Sequence, residues 1–527
     1  MIGGLALAPG MPISSDFKAP AGSPSQIAPI GIFSWVAVLA ITALGLFLRL
    51  TCLTCKPFWF DEAFSVEVAR VTWSNFLHLL WWREANMSLY YVLLRIWLTI
   101  GHSPFFIRCL SAIVASGTIP AIYWLGLQLF DRRVALIAAA LFAFNAYDVR
   151  YAQEARSYAL FVLLSTLSSG FLIAYLRAPM HRSRTAYIVC SGLAVYAHFY
   201  ALLLIAAHWI ALRWRAKPAE GDEFAVLAYS QLRRAWIVIG IAVLPLLIFV
   251  AKTGAGPIKW IHRPGLLDLV MFSVYFTDGH PLIYFAACLL TLIPLQKNLF
   301  KRTRQWEKWR VHFLFIWLLF PIVLTVLLSF ARPVFLPRYM IFCIPALVLL
   351  AAAGLASMRP AWLSAVLVCG LLLLSVQFVP FVYSHDFDEE RDASVAAANL
   401  ILDHAEADDA VIFHIAETRI PYEFARSLRS GTNTANPNFT APVGPEILFP
   451  NHGPGLDYRD FTGKPTADFL HLQLGRHSRV WVMLMNNGGV EKPDPTTIML
   501  SQILPEMFAR MQRWQLAKVE IRLYSKE

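Results

Sequence analysis

Runs of 17 to 25 mostly apolar residues recur from Ile30 to Val382. A run of that length crosses a hydrocarbon core of about 30 Å as a helix, and several in series make a polytopic membrane protein. The 57% hydrophobic and 15% charged composition agrees, because no single water-soluble core is built that way. From Tyr383 to Glu527 the polarity is that of an ordinary globular domain. That tail carries 14 Lys+Arg against 20 Asp+Glu, net −6, while residues 1–382 carry 31 against 14, net +17. The basic pI therefore belongs to the membrane half, where Lys and Arg flank spans, and it does not point to nucleic acid.

The expected fold is an all-α membrane bundle of about eleven transmembrane helices, followed by an extracytoplasmic α/β domain. Residues 1–29 form a cytoplasmic tail with no cleavable signal pattern. The membrane domain is expected over 30–382, with surface helices at 58–97, and the soluble domain over 383–527. Residues 186–213 are long for one helix and short for two. Arg177, Arg182 and Arg184 precede them and Arg213, Arg215 and Lys217 follow. Two basic flanks on one side require an even number of crossings, so the segment reads as two helices meeting near His198. In the tail, a helix is expected over 392–405, strands over 410–414 and 479–485, a loop over 431–465, and a helix then a strand over 497–513 and 518–524.

Five of the seven cysteines fall in apolar spans. Cys52 and Cys55 stand near water in a C-x-x-C spacing that suits redox or metal chemistry; the plainer reading is two juxtamembrane cysteines. Of the acids ahead of the tail, Asp61, Glu62, Glu67, Glu84, Asp148, Glu154, Asp268 and Asp278 fall on the outer face. None lies mid-span, which counts against an intramembrane proton relay.

Two outer motifs stand out. FWFDEAFSVEVARV puts Asp61 and Glu62 behind an aromatic cluster, on a helix whose apolar positions suit the bilayer surface. YAQEARSYAL puts Glu154 and Arg156 in a loop too short to leave that surface. Between them, NMSLYYVLLRIW reads as another surface helix, with Tyr90 and Tyr91 as interfacial aromatics.

This order of elements, with R-x-x-S at Arg108 to Ser111, AHFYALLL and FLPRYMIFCIPALVLLAAAGL, resembles the bacterial GT-C glycosyltransferases. These are related to protein O-mannosyltransferases and lipid A aminoarabinose transferase. The likeness covers about residues 30–415 and extends to ERDASVAAANLILDHAEADDAVIF. Asn86-Met87 stands where Pro-Pro is usual, and Ala197 where Thr is common.

The resemblance implies transfer of a sugar from a polyprenyl-phosphate donor to a lipid, glycan or protein hydroxyl on the outer face of the inner membrane, with inversion. Asp61 would be the base, with Glu62 beside it in the catalytic set and Glu154 orienting the acceptor. Arg156, Arg338, Lys259 and Arg263 would receive the phosphate, whose departure needs positive charge. His198, Tyr90 and Tyr339 would contact donor or acceptor. No metal is assigned; a divalent cation, if used, would sit on Asp61 and Glu154. The competing readings are a lipid-linked sugar flippase, which would need polar residues along its path, an envelope-polymer ligase and a non-catalytic scaffold.

Overall fold

Lipid offers the backbone no hydrogen-bond partner, so a chain this apolar must satisfy its amides within helices. The computed structural model describes residues 32–56, 58–213, 223–254, 261–293, 305–383, 394–414, 418–430, 444–449, 466–485, 495–516 and 519–527. In the membrane domain these form α1 (Ile32–Leu50), α2 (Phe60–Arg70), α3 (Trp73–Trp82), α4 (Ser88–Trp97), α5 (Pro104–Leu129), α6 (Arg132–Phe144), α7 (Ala146–Ala152) and α8 (Tyr158–Arg177). Then come α9 (His181–Ala197), α10 (Ala201–Arg213), α11 (Glu223–Thr253), α12 (Leu266–Phe276), α13 (Pro281–Leu290), α14 (Gln305–Ala331), a 3-10 turn over Pro337–Cys343, α15 (Ile344–Ser357) and α16 (Ala361–Tyr383).

Among the described residues seven helices are long and apolar enough to cross a membrane, or eight if the bent pair α6–α7 is one span. The expected count of eleven is not reached by that measure. Helices α10, α12 and α13 are apolar but only 13, 11 and 10 residues long, short of the roughly 20 that a full crossing takes. The doubtful segment 186–213 does fold back. Tyr187 and His208 meet at 3.4 Å, whereas one continuous helix would hold residues that far apart in sequence about 30 Å from each other.

The bend between α6 and α7, 57°, is made at Asn145 and is closed by buried polar groups. Asp278 accepts from Asn145 Nδ2 at 3.0 Å, the Ala146 amide at 2.8 Å, Tyr284 at 3.1 Å and Ser375 at 2.8 Å. One turn on, Asp148 pairs with Arg49 at 2.6 Å, and Arg49 also donates to the carbonyls of Gly45 and Ala143. At one end of the bundle, Arg177 and Arg310 donate to the last carbonyls of α5, Gln128 and Leu129. The opposite end carries α2–α4, the α7–α8 loop and the α9–α10 turn.

The tail consists of α17 (Ser394–His404), β1 (Ala410–His414), α18 (Arg419–Ser430), β2 (Glu446–Phe449), α19 (Ala467–Leu474), β3 (Arg479–Met485), α20 (Pro495–Met507), β4 (Arg510–Leu516) and β5 (Val519–Ser525). Its sheet runs β2-β1-β3-β5-β4, parallel among the first three and antiparallel at β3-β5 and β5-β4. Strands β1 and β3 lie where the sequence puts them. Two expectations are corrected. Glu446–Phe449 is a strand inside the tract read as loop, and the helix expected to reach Arg513 stops at Met507, with Arg510–Leu516 forming β4. As an edge strand with a largely exposed face, β4 is polar enough to pass for a helix surface, and its arginines suit an unpaired edge.

Candidate active site

Acids favour a helix N-terminus, where unpaired amides and the helix dipole present positive charge, and α2 has two in its first turn, Asp61 and Glu62. The fold then sends them to different places. Glu62 is buried. Its Oε1 accepts from Arg108 Nε at 2.8 Å and the Ala155 amide at 2.8 Å, and its Oε2 from Arg108 Nη2 at 2.5 Å. Arg108 also donates to the carbonyls of Leu53 and Lys56, both at 2.8 Å, and the loop that offers them is closed by a Cys52–Cys55 disulfide. The C-x-x-C pair is thus a staple. Glu62 is the joint between α2, the disulfide loop and the YAQEARSYAL loop.

Asp61 remains partly in solvent, with 21% of its side chain exposed. Its Oδ2 lies 3.5 Å from Arg156 Nη2 and 3.7 Å from Arg338 Nη2. These distances are ion pairs, longer than hydrogen bonds. Arg156 is steadied by the Asp61 carbonyl and Ser65 Oγ, each at 3.2 Å, and Arg338 lies over the Trp59 ring at 5.5 Å. One carboxylate therefore sits at the surface between two guanidiniums from distant parts of the chain. Glu84, from the α3–α4 connection, completes the charge set. Burial pushes its carboxyl up to about 7, against the pull of Arg156 and with a push from Asp61.

The other expected residues divide. Glu154 is buried beside Arg156 in the same loop. His198, at the α9–α10 turn, stacks on Phe161 at 4.9 Å and meets Tyr339 at 4.6 Å. The Tyr200 amide donates to His198 Nδ1 at 3.2 Å, so Nε2 carries the ring's hydrogen. Tyr90 bonds Ser111 at 3.0 Å and ties α4 to α5. Arg263 is exposed ahead of α12, and among the described residues nothing joins it to Asp61. Lys259 lies outside the described residues. Asn86, the departure from Pro-Pro, accepts from the Phe199 amide at 3.1 Å and so fastens the surface helices to the turn at His198. Sequence reasoning named Glu84 as an outer acid but not as part of the site; its position next to a surface helix was the available signal. Among the described residues no three His, Cys, Asp or Glu side chains are grouped to hold a metal ion.

ArnT from Cupriavidus metallidurans in the apo state superposes with a TM-score of 0.59 at 12% identity, over 94% of this chain and 98% of that one. The same protein bound to undecaprenyl phosphate gives 0.56 at 12% identity with the same coverage. The chain carries the GT-C fold. The Archaeoglobus fulgidus oligosaccharyltransferase in complex with Zn and sulfate shares the GT-C architecture more distantly, at a TM-score of 0.50 and 11% identity over 86% of this chain and 68% of that one. No family model matches the sequence, and no curated protein matches it. At such identities the GT-C likeness is one of fold, and the chemistry rests on the residues around Asp61.

Proposed function

We propose that this membrane protein is a glycosyltransferase that moves one sugar from a polyprenyl-phosphate donor to a hydroxyl acceptor, with inversion, on the outer face of the cytoplasmic membrane. The observation that carries the reading is Asp61, a partly solvated carboxylate on a surface helix within ion-pair distance of both Arg156 and Arg338. A hydroxyl is a weak nucleophile at neutral pH, so a carboxylate within reach must take its proton as the new bond forms. The acceptor oxygen bonds to the anomeric carbon and its proton goes to Asp61. The bond from that carbon to the phosphate oxygen breaks, and the phosphate leaves with the electron pair. The gathering anionic charge needs fixed positive charge nearby, which two guanidiniums supply without a general acid.

The fold's likeness to an ArnT that was seen with undecaprenyl phosphate supports a lipid-phosphate donor. The placement of Asp61, Arg156, Arg338, Glu84 and His198 at one end of the bundle, away from the basic end, supports an outward-facing site and tail. The test is transfer of labelled sugar from a panel of prenyl-phosphate donors to envelope lipids, glycans and proteins by the purified protein in a bilayer. Transfer that disappears in Asp61→Asn supports the reading. Donor translocation without a new glycosidic bond would make the protein a flippase.

A further inference from the structure

Strands β1 and β3 of the tail's sheet are buried on both faces, and side chains alternate between the faces along each strand. Val411 and Phe413 of β1, with Trp481 and Met483 of β3, belong to an apolar cluster that continues into the membrane bundle; Ala410, Ile412, Val480 and Val482 belong to a separate cluster with α19 and α20. The bridge to the bundle is α18, which packs against α2, the helix that carries Asp61. Phe424 stacks on Phe58 with ring centroids 4.8 Å apart and planes 25° apart. Arg70 donates to Ser427 Oγ at 2.7 Å and lies 5.9 Å over the same Phe424 ring. Phe58 stands just ahead of the first turn of α2 and Arg70 is in its last, so α18 holds both ends of the helix. Phe58 also lies under the Arg108 guanidinium, 4.4 Å from its ring centroid, and Arg108 is the group that grips Glu62.

Among the described residues no short side-chain bond fixes Asp61; its ion pairs are 3.5 and 3.7 Å long. Its position is therefore the position of α2. We propose that α18 of the soluble domain is a positioning element for the catalytic helix, with Phe424 and Ser427 setting where α2 places the Asp61 carboxylate. The proposal rests on the reading of Asp61 as the base. A shift of about 1 Å in a reacting group, made far from the chemistry, can cost as much as 10²-fold in rate, so a contact on the far domain has leverage on turnover without touching substrate.

The test uses the full chain in a bilayer with Phe424→Ala, Phe424→Leu and Ser427→Ala, and reads kcat, donor KM and hydrogen exchange of the α2 and α8 amides. Phe424→Ala is expected to lower kcat about tenfold with donor KM within about twofold. It should also speed exchange in α2 about tenfold and leave α8 unchanged. Phe424→Leu should recover part of both. Ser427→Ala, which removes one hydrogen-bond acceptor and no apolar contact, should move both in the same direction by less, and it decides the matter if Phe424→Ala does not fold. Unchanged α2 exchange overturns the proposal, whatever happens to kcat. Faster α2 exchange in variants of a wild type that transfers no sugar would sink the transferase reading and leave the coupling of α18 to α2 standing.

Discussion

Asp278 and Asp61 are both acids of the membrane domain, and the fold treats them in opposite ways. Asp278 is fully buried and accepts four hydrogen bonds between 2.8 and 3.1 Å. Asp61 keeps part of its side chain in solvent and faces its two arginines at 3.5 and 3.7 Å. The first is saturated and can do nothing but hold the α6–α7 bend, as Asp148 does with Arg49. The second retains lone pairs for an incoming proton. On the proposed mechanism, it is the degree of saturation that sets Asp61 apart, and Glu62, although it adjoins Asp61, is held by three hydrogen bonds much as Asp278 is by four.

The sharpest way to break the comparison is to empty each position. Asp278→Ala strands four buried donors and should cost about 3–5 kcal/mol of stability, seen as a lowered melting temperature with turnover kept by the folded fraction. Glu67 lies between the two plans, being buried with Arg70 at 3.2 Å. Burial pushes its carboxyl from 4.5 up to about 7, with Arg70 opposing and Glu423 adding. The folded chain then keeps a proton that the unfolded chain releases. Stability is full below about pH 4.5 and falls as pH rises through 7, by roughly 3 kcal/mol in total. Melting temperature against pH should show this slope and lose it in Glu67→Gln; equal slopes in both would assign it to another group.

Asp61→Asn should leave melting unchanged and lower kcat by at least about 10²-fold, or about 2.7 kcal/mol of barrier. Near-normal turnover would remove Asp61 from the mechanism. Arg338→Ala should cost about tenfold in rate and weaken donor binding, and Arg338→Lys should recover part, since it restores charge without the fork. Donor affinity and kcat unchanged from wild type in both variants would make Arg338 an anchor for the end of its helix. The smallest effect is expected at Asn86→Ala, about 1 kcal/mol from loss of the acceptor at the Phe199 amide, measured by thermal melting.

What could be read from the sequence was mostly what is local. Asp61 with Glu62, and Glu154 with Arg156, are neighbours in the chain, so their motifs were visible. The boundaries of β1 and β3 followed from continuous apolar strands bounded by polar residues. The fold-back at His198 followed from basic flanks. The grip of Arg108 on Glu62, the pairing of Asp148 with Arg49 and the stack of Phe58 on Phe424 join residues far apart in sequence, and no spacing records them. Strand β2 is four residues long in a tract rich in Pro, Asn and Gly, too short for alternation to show. The length measure does not confirm eleven spans among the described residues because three of the expected crossings, α9, α10 and α13, are helices of 17, 13 and 10 residues.

Arg177 and Arg310 are charges at span ends, the kind that the insertion machinery reads when it decides which end of a helix stays behind. In the folded protein the same two guanidiniums cover the carbonyl end of α5. Orientation and architecture are thus written in the same atoms. A lineage cannot trade these arginines away to reverse its insertion without also uncapping α5, a largely buried helix of 26 residues, and the handedness of the protein across the bilayer is protected by the cost of unravelling it.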